Sequence, residues 1–518
     1  MAQGAVAAGH PATAEAGAWA LRKGGNAVDA AVAAVCASFA AESPLTGLGA
    51  GGYMLVRLPG DEPLLLDFFV VAPGLGSLRR RSELKPVLVD FGGSKQTFNV
   101  GAASCGVPGV PAGLCEAVGR WGSMSLAELV GPACKLASEG VVINNQQAYL
   151  MKLLEPILSL EPGGRNIYST PTGRLHREGE RFRVPDLGVS LKLLAREGPE
   201  PFYRGEIAER ICTTVAAGGG ALAPEDLAAY EPIARDPVGA RFAGREVLTN
   251  PPPASGGILI AFALAVLEHV GASSTEALVA AMEQAQLART EEFLTGLYEP
   301  ELGDRFLAPA AIAEAAGAVK AALGASAVRP EPGEQLGSTT HVTAVDAEGG
   351  CASVTCSNGA GSGIIVPGTG IHLNDMLGEE DLSPFGFHAT PAGLRMPSMM
   401  SPTIVLRDGE FEVGLGSAGS NRIRSAITQT ILRIVVEGMD AEAAVAAPRL
   451  HLEAGTVHAE PGIDDEALDA LGARGYGINR FPAPNVFFGG VQAIVRDPAS
   501  GALSGGGDPR RGGAVVMV

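Results

Sequence analysis

The 518-residue chain lacks the features that would commit it to several large classes of protein. Its longest basic run is Arg79-Arg80-Arg81, whereas the formal net charge is −18 at pH 7, spread without a long acidic block. A general nucleic-acid surface needs the opposite balance, so no nucleic-acid partner is expected. The seven cysteines form no C-x-x-C pair and no regular spacing. Cys36 and Cys134 fall in helical apolar patterns, where cysteine serves as a small hydrophobe, so reduced thiols and no metal site are expected. The eight histidines are scattered without an H-E-x-x-H, and there is no G-x-S-x-G elbow. A metal hydrolase and a Ser-His-Asp hydrolase are thereby set aside. Residues 1–9 have neither a basic start nor a long apolar run, and windows such as 258–270 are too short for a membrane span. The expectation is a cytoplasmic protein without a membrane partner, with a trimmed exported chain as the alternative.

What is present is an ordinary globular balance, 46% hydrophobic and 18% charged, able to bury a large core. The chain turns on Leu336-Gly337-Ser338-Thr339-Thr340-His341-Val342-Thr343-Ala344-Val345-Asp346, where a polar linker broken by Pro and Gly becomes a strand. Taken alone, Thr-Thr-His at a strand start reflects only β-propensity. A threonine hydroxyl is a poor nucleophile unless a base sits beside it, and the most compact base is the α-amine of the same residue. That amine exists only if the chain is cut between Ser338 and Thr339.

Other motifs follow in order. They are the turn Asp346-Ala347-Glu348-Gly349-Gly350, then Ala352-Ser353-Val354-Thr355-Cys356-Ser357-Asn358-Gly359, then Pro367-Gly368-Thr369-Gly370-Ile371-His372-Leu373-Asn374. Met400-Ser401-Pro402-Thr403-Ile404-Val405 and Gly416-Ser417-Ala418-Gly419-Ser420-Asn421-Arg422 come later. Upstream stand His10-Pro11-Ala12-Thr13-Ala14-Glu15-Ala16-Gly17 and Val107-Pro108-Gly109-Val110-Pro111-Ala112-Gly113-Leu114. In this order the chain resembles, nearly end to end, the γ-glutamyltransferase (γ-glutamyltranspeptidase) family of self-cleaving hydrolases with an N-terminal nucleophile.

Pattern alone predicts a helix opened by Pro11 and closed by Gly24-Gly25, then a second helix capped by Asn26. The glycines of 47–52 are read as tight packing before a buried strand at 54–57, and 64–73 as a second strand. From 125 to 270 the pattern is mostly helical, with a strand stopped by Pro251-Pro252-Pro253 and a helix over 258–270. A helix over 309–323 leads into the linker 324–338. Beyond it come strands 340–345, 351–356, 403–406, 412–415, 492–496 and 513–518, with helices near 421–438 and 464–474. The resemblance implies an α+β fold, a four-layer α-β-β-α sandwich in one domain over 1–518. It would cleave itself into a large chain 1–338 and a small chain 339–518 that stay associated.

For the chemistry, the resemblance implies that Thr339 Oγ first cleaves its own upstream peptide bond and then attacks an amide carbonyl. The freed amine is the base, and an acyl-enzyme passes its acyl group to water or to an amine. The β-methyl of threonine restricts χ1 and so holds Oγ in a narrow range. Gly419 and Ser420 align with the family's backbone oxyanion donors, and Ser357 with a hydroxyl that hydrogen-bonds the nucleophile. No cofactor is implied. The substrate is a small-molecule amide or γ-glutamyl-type compound, with an amine or amino acid as possible acceptor.

Recognition residues depart from the family pattern. Phe69 stands where the family has an arginine for the substrate α-carboxylate, and Ser398-Met399 where it has a serine pair. Met376 replaces a Glu/Gln acceptor, Glu379 an Asp, and Asn358 matches a family Asn if two residues are deleted after it. Arg395, Arg422 and His372 are candidates for a replacement cation. Three readings stay open: an amidohydrolase or acyltransferase for a less zwitterionic acyl group, a true γ-glutamyltransferase or glutathione hydrolase, and a non-catalytic scaffold.

Overall fold

The computed structural model describes residues 3–76, 83–90, 95–323 and 339–518. The expected linker 324–338, with Ser338, and Arg79-Arg80-Arg81 lie outside the described residues. Strands of two sheets run through the chain as β1 Ala5–Ala8, β2 Gly51–Arg57, β3 Leu64–Phe68, β4 Ile233–Arg235, β5 Val238–Phe242, β6 Arg245–Thr249 and β7 Thr340–Val345. They continue as β8 Cys351–Ser357, β9 Thr403–Arg407, β10 Glu410–Gly416, β11 Gln492–Arg496, β12 Leu503–Gly507 and β13 Ala514–Met517. The seven-stranded sheet has the order β13-β1-β7-β8-β2-β3-β4, and the six-stranded sheet β12-β11-β10-β9-β6-β5. Every pairing within these sheets is antiparallel.

The two faces of β7 and β8 meet different surroundings because side chains alternate along a strand. Val342, Ala344, Ala352, Val354 and Cys356 join the core formed with α1 Pro11–Arg22 and α2 Ala27–Ala41. The opposite face carries His341, Thr343, Ser353 and Thr355, and these reach the second sheet: Ser353 Oγ donates to Leu415 O at 3.0 Å and Thr343 Oγ1 to Gln492 O at 3.2 Å. His341 Nδ1 lies 2.8 Å from Thr355 Oγ1 and Nε2 3.0 Å from Thr343 Oγ1. Burial drops its pKa to about 3, so it stays neutral within that network. On the far side of the six-stranded sheet, α3 Ser255–Val270 packs on β5 and β6, and α4 Arg422–Val435 on β10.

Pro11 opens α1, and Asn26 caps α2 in a capping box with Asp29, as the pattern predicts. Three expectations need correction. The strand read over 64–73 ends at Phe68, where the Phe69 N–H turns back to Asp67 Oδ1 at 3.0 Å. Residues 5–8, read only for the absence of a leader, form a strand buried between β13 and β7. The stretch read as mostly helical with one strand also holds β4 and β5, which stand at the edges of the two sheets; the expected strand is β6, and the prolines stop it. Among the described residues no helix is long and apolar enough to cross a membrane.

Candidate active site

The register of β7 on β8 builds the centre of the site. Thr340 pairs with Cys356, so the next step of the ladder sets Thr339 across from Ser357. Thr339 Oγ1 donates to Ser357 Oγ at 3.3 Å, and Ser357 Oγ also accepts the Gly359 N–H at 2.8 Å. Both hydroxyl residues are buried. Behind them, Thr340 points to the helix side, where its hydroxyl donates to Glu42 Oε2 at 2.5 Å; Thr13 donates to Glu42 Oε1 at 2.8 Å. Burial raises the Glu42 pKa against these two hydrogen bonds and the charge of Arg511. Arg511 Nη1 reaches the Thr339 carbonyl at 3.4 Å, so the Thr339 backbone is held from behind.

Gly419 and Ser420 form the turn between β10 and α4. Both lie in the left-handed region, Gly419 at φ 113° and Ser420 at φ 51°. A side chain there costs about 1–2 kcal/mol. Ser420 Oγ donates to Asp381 Oδ2 at 3.0 Å, and Asn421 Nδ2 to Asp381 Oδ1 at 2.8 Å. Among the described residues neither the Gly419 nor the Ser420 N–H has a hydrogen-bond partner in the chain. Unspent donors at a strained turn are what an oxyanion needs.

A cavity of about 20 Å³ joins Thr339, Ser357 and Ser420 to Phe69, Met376, Glu379, Ser398 and Met399, with Leu382, Met400 and Ile423 completing its wall. Phe69 stacks on Tyr53 at 5.3 Å between ring centroids. The wall is thus apolar apart from hydroxyls and one carboxyl. Glu379 occupies an uncompensated corner: burial, Asp375 and Asp381 all push its pKa upward. Burial lifts Asp375 to about 7, against nearby N–H groups that include those of Ala360 and Gly361. Gly359, at φ 69°, separates this pair from Ser357; a Cβ there would fall 1.8 Å from Asp375 Oδ1 and 2.5 Å from Glu379 Oε1. Among the described residues no group of three or more His, Cys, Asp or Glu could hold a metal ion.

The family model for gamma-glutamyltranspeptidase matches residues 13–518. The chain belongs to that family. It is 31% identical to the acylase ACY 1 proenzyme of Pseudomonas sp. (strain SE83), over 100% of this chain and 94% of the relative. It is 30% identical to the glutathione hydrolase proenzyme of Bacillus subtilis (strain 168), over 99% and 91%. The cephalosporin acylase structure from Bacillus halodurans superposes with a TM-score of 0.84 at 27% identity, covering 99% of this chain and 96% of that one. This γ-glutamyltranspeptidase-family protein is accordingly an amidohydrolase or acyltransferase of the N-terminal-threonine type.

Within the family frame, eight of the residues singled out in the sequence line the cavity together. Gly419 and Asn358 stand outside its wall. Asn358 is fully buried, and its carbonyl accepts the Asp375 and Gly361 N–H groups. The expected replacement cations do not supply one. Arg395 is bound to Asp67 at 3.2 Å and to the Phe69 and Glu231 carbonyls, tying down the end of β3. Arg422 faces Glu453 at 3.5 Å and lies over the Phe487 ring, and His372 Nε2 accepts the Gly363 N–H. Glu42, Asp375, Asp381 and Arg511 were not picked out from the sequence. The run Glu379-Glu380-Asp381, three acids beside an expected recognition residue, was the available signal for Asp381.

Proposed function

We propose that Thr339 is the nucleophile of a small-molecule amidohydrolase whose acyl group carries an amine but no carboxylate. The observation that carries this reading is the cavity wall: it unites Thr339, Ser357 and the Ser420 turn, and its one ionisable side chain is the acid Glu379. Autoproteolysis frees the amine: Thr339 Oγ attacks the Ser338 carbonyl carbon, the Ser338–Thr339 C–N bond breaks, and water hydrolyses the resulting ester. In turnover the free α-amine takes the Oγ proton as Oγ bonds the substrate carbonyl carbon, and the Gly419 and Ser420 N–H groups receive the oxyanion. The ammonium then protonates the departing amine. Water, or an acceptor amine, deacylates the enzyme by the reverse sequence.

Specificity follows from charge. A γ-glutamyl group brings an α-carboxylate, and leaving it without a partner costs about 2–5 kcal/mol. Phe69, Met376 and Met399 suit an aliphatic stem, while Glu379 with Asp375 behind it suits an ammonium. The acylase relative accords with a family pocket built for other acyl groups, whereas the glutathione hydrolase relative supports the true γ-glutamyltransferase as the second reading. A non-catalytic scaffold accounts for neither the Thr339–Ser357 contact nor the free N–H groups of the turn. The packing of helices on both outer faces of the two sheets supports one α-β-β-α sandwich, formed jointly by a large chain 1–338 and a small chain 339–518.

The test is a set of four p-nitroanilides: 4-aminobutyryl, γ-glutamyl, glutaryl and butyryl, which vary the amine and the carboxylate independently. The expected outcome is the highest kcat/KM for 4-aminobutyryl, with the acyl mass found on Thr339 of the small chain. Preference for γ-glutamyl would establish the second reading, and acylation at another residue would remove Thr339 from the mechanism.

A further inference from the structure

The proposed oxyanion turn holds a strained serine against a carboxylate. A left-handed backbone is free for glycine but strained for a residue with a Cβ, and Ser420 holds φ 51°. Relaxation of Ser420 towards negative φ would rotate the Gly419–Ser420 peptide and turn its N–H away from the cavity. One carboxylate opposes this from across the site. Asp381 accepts the Ser420 hydroxyl on Oδ2 and the Asn421 amide on Oδ1, bracing two consecutive residues of the turn. Burial and the charge of Glu453 raise the Asp381 pKa, and Arg289, the Ser420 hydroxyl and Arg422 oppose that rise. Asn421 Nδ2 also reaches Glu453 Oε1 at 3.2 Å, which fixes the far side of the turn.

We propose that Asp381 is a positioning residue for the oxyanion donors, required because Ser420 is not glycine. The proposal rests on the reading of Thr339 and the Gly419–Ser420 turn given above. Asp381 touches no reacting atom; it acts through the conformation of Ser420. It belongs to the short turn Glu380–Leu382, whose neighbours Glu379 and Leu382 line the cavity, so the brace and the acyl pocket share one segment.

The experiment is a double-mutant cycle of Asp381→Asn and Ser420→Gly in the full chain. Cleavage is followed by intact mass, and acylation of Thr339 by the burst of p-nitrophenolate from p-nitrophenyl acetate. Asp381→Asn keeps the side chain's shape. In the Ser420 background it is expected to lower the maximal acylation rate about tenfold or more, with the half-saturating ester concentration unchanged within about twofold. In the Ser420→Gly background the same substitution is expected to cost less than about threefold, because glycine holds the turn unaided. An equal loss in both backgrounds, or none in either, would overturn the proposal. The same slowing is expected in autocleavage, which passes through its own oxyanion. If the unsubstituted protein is neither cleaved nor acylated at Thr339, the parent reading has failed and the brace falls with it. If it is acylated and the cycle is flat, the brace alone is refuted.

Discussion

Thr339 and Ser357 face one another because their strands are in register, and the hydroxyl contact between them is testable by removal and by replacement. Ser357→Ala is expected to lower kcat about tenfold, the value of one hydrogen bond to the proposed nucleophile Thr339, while Ser357→Thr keeps most of the activity. Both are read from steady-state kinetics on the best p-nitroanilide. The acid pair offers a pH test. Burial lifts Asp375 to about 7, so between about pH 4 and 7 the folded protein binds a proton that the unfolded chain has released. Its contribution to stability is therefore present at low pH and lost as pH rises through that window. Asp375→Asn is expected to raise the melting temperature relative to the parent at pH 8 and to change it little at pH 4. Much of this centre was legible in the sequence: Thr339, Ser357, Ser420, Phe69, Met376, Glu379, Ser398 and Met399 converge on one cavity. Glu42 and Arg511 were not, because each acts through a contact made across the fold, and Asp381 was signalled only by the acidic run Glu379-Glu380-Asp381. Arg511 lies 172 residues from Thr339 and Glu42 298 from Thr340, and no local pattern encodes such separations.

At the scale of elements, strands with a period of two and bounded by turns were readable, and helices with caps were too. Asn26 accepts the Val28 and Asp29 N–H groups while Asp29 Oδ2 accepts the Asn26 N–H. Asn26→Ala is expected to destabilise the protein by about 1 kcal/mol in urea unfolding, with kcat unchanged, since α2 lies behind the sheet and not in the cavity wall. The strands missed in the sequence are those with weak local signals. Ala5-Val6-Ala7-Ala8 is short and alanine-rich, and it is a strand only because β7 and β13 flank it. Val238-Gly239-Ala240-Arg241-Phe242 carries a glycine and an arginine, and it is a strand because it pairs with β6 at the edge of its sheet. In both cases tertiary pairing decides what propensity leaves open.

Across the whole molecule, the two proposed chains are interleaved. In the seven-stranded sheet β13, β7 and β8 belong to the small chain and β1, β2, β3 and β4 to the large one, with β1 inserted between β13 and β7. In the six-stranded sheet β5 and β6 of the large chain continue four strands of the small chain. Cleavage before Thr339 would therefore leave both sheets intact. Size-exclusion chromatography is expected to show one species that separates into two bands only under denaturing conditions.

The most direct measurement is intact mass spectrometry with N-terminal sequencing of the full-length protein beside its Thr339→Ala variant. The account predicts two fragments split between Ser338 and Thr339, the smaller beginning at Thr339, and a single uncut chain for the variant. An unsubstituted chain that stays whole after prolonged incubation, or a cut elsewhere that survives Thr339→Ala, would contradict it.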